Sequence, residues 1–127
     1  MESIKIINFL LVGFGGFLGS VIRYGVSLLM RGGTSPSATL LVNTIGGFMI
    51  GCAFHYFSRN DMVGSPLFLF FVVGICGGFT TFSTFSLELF NIVRAGNLSV
   101  AILYLAASVI LSLAATILGY YLIKYIL

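Results

Sequence analysis

Residues 74–88, GICGGFTTFSTFSLE, place hydroxyls at Thr80, Thr81, Ser83 and Thr84, phenylalanines at 79, 82 and 85, and a carboxylate at Glu88 inside one long apolar run. Polar groups at membrane depth face protein or a water-filled path rather than lipid. The chemistry open to such a set is ion coordination by hydroxyls, main-chain groups and ring edges, because an aromatic edge carries partial positive charge. Gly-Gly followed by two β-branched threonines is also a poor continuous helix, since Gly costs roughly 1 kcal/mol against Ala. The stretch therefore predicts a helix, a break within residues 77–81, and a second helix. A broken membrane helix frees carbonyls and N–H groups that can hold ions. The alternative is a kinked packing helix with its hydroxyls bonded back to the chain, and the density of polar residues favours the former. Phe79, Phe82 and Phe85 recur every three residues and share a face wherever the chain is helical. Glu88 is a functional candidate as an intramembrane acid.

A second polar set lies in the last apolar run. Tyr104, Ser108, Ser112, Thr116 and Tyr120 recur at every fourth position, which puts five hydroxyls on one slowly drifting helix stripe. Singly, such residues bond to the i−4 carbonyl; five in register point to a polar track. Asn43 is expensive in a spanning helix unless its amide finds partners. It serves either as glue between helices or as an N–H donor to a ligand. Arg23, near the end of the first apolar run, either snorkels to the headgroups or makes a positive vestibule that attracts anions. Cys52 and Cys76 lie in separate spans without metal spacing and read as small core residues. His55 stands without a second ligand nearby and reads as an interfacial or core residue. Paired carboxylates, a nucleophile triad and a phosphate loop are all absent from the sequence, so an enzyme is not expected.

The elements that must position these residues follow from composition. Of 127 residues, 59% are hydrophobic and 7% charged, against about a quarter charged in a soluble domain. Runs of about 20 apolar residues mark spanning helices. Four fit: residues 4–30, 39–57, 66–93 and 98–127, which leave room for a single domain over 1–127. The first, third and fourth exceed one bilayer thickness, so tilt, a break or protruding ends are expected. No cleavage site follows the first run, so a removed signal is not expected. The net charge of +3 comes from scattered basic residues, which excludes a nucleic-acid surface. Lys5, Arg59 and Lys124 fall on one side of a four-span chain, Arg31 and Arg94 on the other, with Arg23 near that end. Orientation depends on an excess on one side. Here there is almost none, and insertion in both orientations is expected. Glycines recur along the first two spans, including Gly15-x-x-x-Gly19, and give faces for close helix approach.

Assembled, these residues resemble the Fluc/CrcB family of small fluoride channels over nearly the whole chain. Gly15, Gly16, Gly19, Arg23 and Tyr24 match one motif. Thr39, Leu40, Val42, Asn43 and Gly46 match a second. The run from Gly77 to Phe85, GGFTTFSTF, matches a third without departure and is the most specific. Ala38 stands where Gly is common and Ser20 where Ala is frequent; neither change touches a residue given a role here. The resemblance implies an all-α membrane protein that forms an antiparallel, dual-topology homodimer of four-helix subunits with two pores. It implies a structural sodium ion at the dimer centre on the main-chain carbonyls of Gly77 and Thr80. It implies fluoride pores lined by Asn43, Phe82 and Phe85 and by the track of Ser108, Ser112 and Thr116. Arg23, Thr39, Glu88 and Tyr104 are then expected in the vestibule or track, and the protein in the cell membrane. Two other classes stand beside this. A small dual-topology multidrug exporter would carry an essential acid in its first helix, where only Glu2 precedes the span. A purely structural subunit would not need Asn43 together with the hydroxyl track.

Overall fold

The computed structural model describes residues 6–30 and 35–127. Glu2, Lys5, Arg31 and the Gly32-Gly33 pair lie outside the described residues. Helix α1 covers Ile6–Leu29 and α2 covers Pro36–Arg59. The third span, Pro66–Arg94, splits into α3 (residues 66–79) and α4 (Phe82–Arg94), and α5 covers Leu98–Ile126. The four apolar spans thus lie where hydropathy puts them. Helix α2 begins three residues earlier than expected. Ser35 is extended, at φ −128° and ψ 130°, and Pro36 follows in the first turn, where a missing N–H costs nothing.

The third span departs from a plain helix twice. Residues Leu69–Cys76 form a π-helix, a widening that the apolar sequence did not announce. The break then falls on Thr80 (φ −82°, ψ 157°) and Thr81 (φ −150°, ψ 121°), both extended. It occupies the last two of the five residues expected. Gly77 stays helical at φ −63° and ψ −38°, so the β-branched threonines make the break and the glycines do not. Thr81 also starts α4, its Oγ1 accepting the Thr84 N–H at 3.2 Å. That satisfies one of the orphan donors of a helix start.

The glycines serve packing instead. A Cβ on Gly74 would lie 2.9 Å from Gly15 Cα, one on Gly78 2.9 Å from Gly16 Cα, and one on Gly19 2.7 Å from Phe79 N. Helix α1 and α3 therefore touch backbone to backbone, running parallel. Helix α2 and α5 do the same: a Cβ on Gly47 would lie 2.8 Å from Ser112 O, and one on Gly119 3.1 Å from Cys52 N. Lipid tails are as apolar as leucine, so association inside a bilayer rests on such close packing more than on hydrophobic burial. Large side chains point outward, among them Phe9, Phe17, Leu29 and Leu103, as a lipid-facing surface requires. The fold is two glycine-seamed pairs, α1–α3 and α2–α5, with the short α4 laid against α5.

Candidate functional site

A groove of about 390 Å³ runs where α2, α5 and the start of α4 meet. Asn43 and Gly47 contribute from α2, Thr80, Thr81, Phe82 and Phe85 from the break and α4, and Ser108 and Ser112 from α5. Most of the residues singled out as pore candidates thus share one wall. Phe85 is buried at 6% exposure and Phe82 is 78% exposed, with ring centroids 5.6 Å apart and planes at 45°. The structure does not join Phe79 to them. It precedes the break and is buried, so the expected three-ring stripe is cut after its first member.

Asn43 spends its amide on the break. Its Nδ2 donates to the Thr81 carbonyl at 3.0 Å, and its Oδ1 accepts the Thr81 N–H at 2.8 Å. This is the bond pair of a sheet ladder supplied by a side chain, and it satisfies both main-chain groups of an extended residue at membrane depth. The amide has a second Nδ2 proton beyond this pair, and Asn43 lines the groove. Because the Thr81 N–H goes to Asn43, the Gly77 carbonyl loses its i+4 donor. The Thr80 carbonyl loses its own to the Thr81 side chain, which takes the Thr84 N–H. Among the described residues no group of three or more His, Cys, Asp or Glu forms a metal-ligand set.

Outside the groove lining, Glu88 is fixed by two donors. Thr39 Oγ1 donates to its Oε1 at 2.9 Å and Tyr104 OH to its Oε2 at 2.7 Å, with all three residues buried. The Tyr104 ring packs on Phe85, centroids 5.2 Å apart. One turn on, Ser108 Oγ is buried with no partner among the described residues. The track then divides. Thr116 Oγ1 donates to the Ser112 carbonyl at 2.9 Å, the ordinary i−4 bond, and it does not line the groove. Tyr120 packs edge-on against His55 at 4.8 Å. Cys52 and Cys76 line a separate apolar groove of about 510 Å³.

Arg23, expected near a mouth, lies beside the break, where its Nε donates to the Gly78 carbonyl at 3.1 Å. Ser20 Oγ donates to the same carbonyl at 3.4 Å, so a residue set aside from the sequence does touch the site. Thr81, which the sequence marks as a hydroxyl and a residue of the break, also carries both the clamp and the cap. Its signal was the pairing of an in-span Asn with a β-branched residue at a break. The groove offers amide N–H, hydroxyl and ring-edge donors, and its lining carries no full positive charge. Such a set suits weak, multi-site contact with a small anion.

Residues 10–120 match the family described as CrcB-like protein, Camphor Resistance (CrcB). The chain is 42% identical over 118 residues to the fluoride-specific ion channel FluC of Azobacteroides pseudotrichonymphae, covering 91% of this chain and 94% of that one. It is 47% identical over 104 residues to the FluC of Chlorobium phaeobacteroides, covering 80% and 81%. It is 40% identical over 116 residues to the FluC of Thermus thermophilus, covering 89% and 92%.

Proposed function

This chain belongs to the CrcB family, and from that premise we propose that it conducts fluoride passively across the cell membrane, lowering cytoplasmic fluoride and its toxicity. It is a multi-pass membrane protein, and its family is one of channels rather than enzymes. The observation that carries the reading is the groove itself. Fluoride is small and strongly hydrated, so a path must replace its water with many weak donors. The second Asn43 proton, the hydroxyls of Ser108 and Ser112 and the edges of Phe82 and Phe85 are such donors. None is strong enough to hold the ion, which conduction requires. Thr116 belongs to the same stripe through its bond to Ser112. Thr39, Glu88 and Tyr104 form a hydrogen-bonded unit that meets the groove wall through the Tyr104 ring on Phe85.

The test is fluoride efflux from liposomes containing only this protein, read with an ion-selective electrode. Phe82→Ile and Phe85→Ile keep an apolar side chain but remove the ring edges. Each is expected to slow efflux by at least about tenfold, the effect of roughly 1.4 kcal/mol. Chloride efflux as fast as fluoride efflux ends the selectivity reading. Unchanged flux in both variants removes the rings from the mechanism.

The working unit in this reading is an antiparallel, dual-topology homodimer. The exposure of Phe82 and the open side of the groove support it, because a second copy would complete the wall. A two-fold axis through the break would bring the Gly77 and Thr80 carbonyls of both copies together, and their lost helical donors make them fit ligands for a structural sodium ion, a hard cation that takes oxygen. Bound there, the ion would tie the two breaks together. Asn97 is exposed before α5 with no side-chain cap bond, which makes it a suitable probe site. With Cys52 and Cys76 replaced by alanine, Asn97→Cys is expected to label from both faces of whole cells. Labelling from one face only would end the antiparallel dimer and, with it, the shared cation site.

A further inference from the structure

Helix α1 lines no part of the groove, yet it sends one charged side chain to the break. In an unbroken helix the Gly78 carbonyl would accept the Phe82 N–H, which here lies past two extended residues. Arg23 Nε takes that place at 3.1 Å, with Ser20 Oγ at 3.4 Å. The approach depends on the α1–α3 seam, since Gly16 and Gly19 bring the α1 backbone against Gly78 and Phe79. A guanidinium is a cation, and a cation in an apolar span is costly without a partner. Its partner is the negative end of a half-helix, where a cation is favourable. Glu88, the buried acid, is already committed to Thr39 and Tyr104.

We infer that Arg23 is a positioning residue: through its Nε–H it caps the Gly78 carbonyl and, with Asn43 on Thr81 from the other side, fixes the two-residue break that sets the direction of α4 and its phenylalanines. The break is thus held from α1 and from α2 at once. The requirement is the hydrogen bond at that atom, with charge secondary. Three side chains of similar length separate the two. Gln places an amide N–H the same number of bonds from Cα as Nε, without charge. Lys keeps the charge one bond further out. Met keeps the length with neither.

The experiment compares Arg23→Gln, Arg23→Lys and Arg23→Met with the parent, by fluoride efflux and by amide hydrogen exchange over residues 79–83 in detergent. Efflux rests on the fluoride reading, whereas exchange does not, so the two can fail separately. Gln is expected to keep efflux within about threefold of the parent and to keep the protection of residues 79–83. Met is expected to lose about tenfold or more in efflux and to lose that protection, as a missing bond to a charged donor implies. Lys active with Gln as impaired as Met would overturn the inference in favour of charge alone. Met indistinguishable from the parent would overturn it outright. Should Met not assemble, the Gln and Lys pair still decides between bond and charge.

Discussion

Asn43→Asp is expected to cut fluoride efflux by about a hundredfold in a protein that still assembles. The carboxylate can still accept the Thr81 N–H, now held at 2.8 Å by Oδ1. The position of Nδ2, 3.0 Å from the Thr81 carbonyl, becomes a second acceptor facing an acceptor. One bond is lost, one carbonyl is stranded, and a negative charge enters the wall of an anion path. Stranding that acceptor costs about 1–3 kcal/mol of stability; the hundredfold loss of efflux, about 2.8 kcal/mol, comes from the carboxylate's charge in the path of the anion. Asn43→Leu strands both groups of Thr81 and is expected to lower thermal stability as well as efflux. Liposome efflux with size-exclusion chromatography on the same samples separates the two effects. Parent-like efflux in Asn43→Asp would remove the clamp from the mechanism.

Gly78→Ala is expected to be among the most damaging single-methyl additions in the chain. Its Cβ would meet Gly16 Cα at 2.9 Å and Gly16 C at 3.0 Å. Both are backbone atoms, so α1 itself must move. Overpacking costs about 1–3 kcal/mol, and here it also displaces the helix that carries Arg23 and Ser20. Gly13→Ala is the control with the opposite sign. No atom lies within 4 Å of its added Cβ, and Ala gains up to about 1 kcal/mol over Gly in a helix. Melting in detergent, followed by the loss of the folded chromatographic peak, should fall for Gly78→Ala and hold or rise for Gly13→Ala. Equal midpoints would mean that the α1–α3 seam is not under the close contact described.

Hydropathy placed all four spans because twenty apolar residues have few other uses. The density of Gly and Thr placed a break in the third. It did not say which residues bend, because Gly-Gly reads alike as a flexible joint and as a packing surface. Only α1 lying against Gly74 and Gly78 decides for packing and leaves the bend to Thr80 and Thr81. The π-helix over Leu69–Cys76 had no signal, since the run is uniformly apolar and a change from i+4 to i+5 bonding leaves no periodic trace. The four-residue hydroxyl spacing in α5 was visible, but not its division. Thr116 turns back to the Ser112 carbonyl because β-branched hydroxyls reach it easily, while Ser108 Oγ has no partner among the described residues. Asn43 and Arg23 were legible as costly polar residues. Their partners were not, because both are main-chain groups that exist only where a helix fails.

The glycine seams that bring backbone against backbone join the first span to the third and the second to the fourth. A ribosome delivers the chain from its N-terminus, and domains fold as their parts emerge. Helix α1 must therefore wait in the bilayer through all of α2 before its partner is made, and α2 must wait through the whole broken span for α5. No completed pair exists until the third span has left the translocon. Assembly of this small protein is thus a late, interlaced event, and a truncated chain ending after Arg59 would hold two helices with neither seam formed.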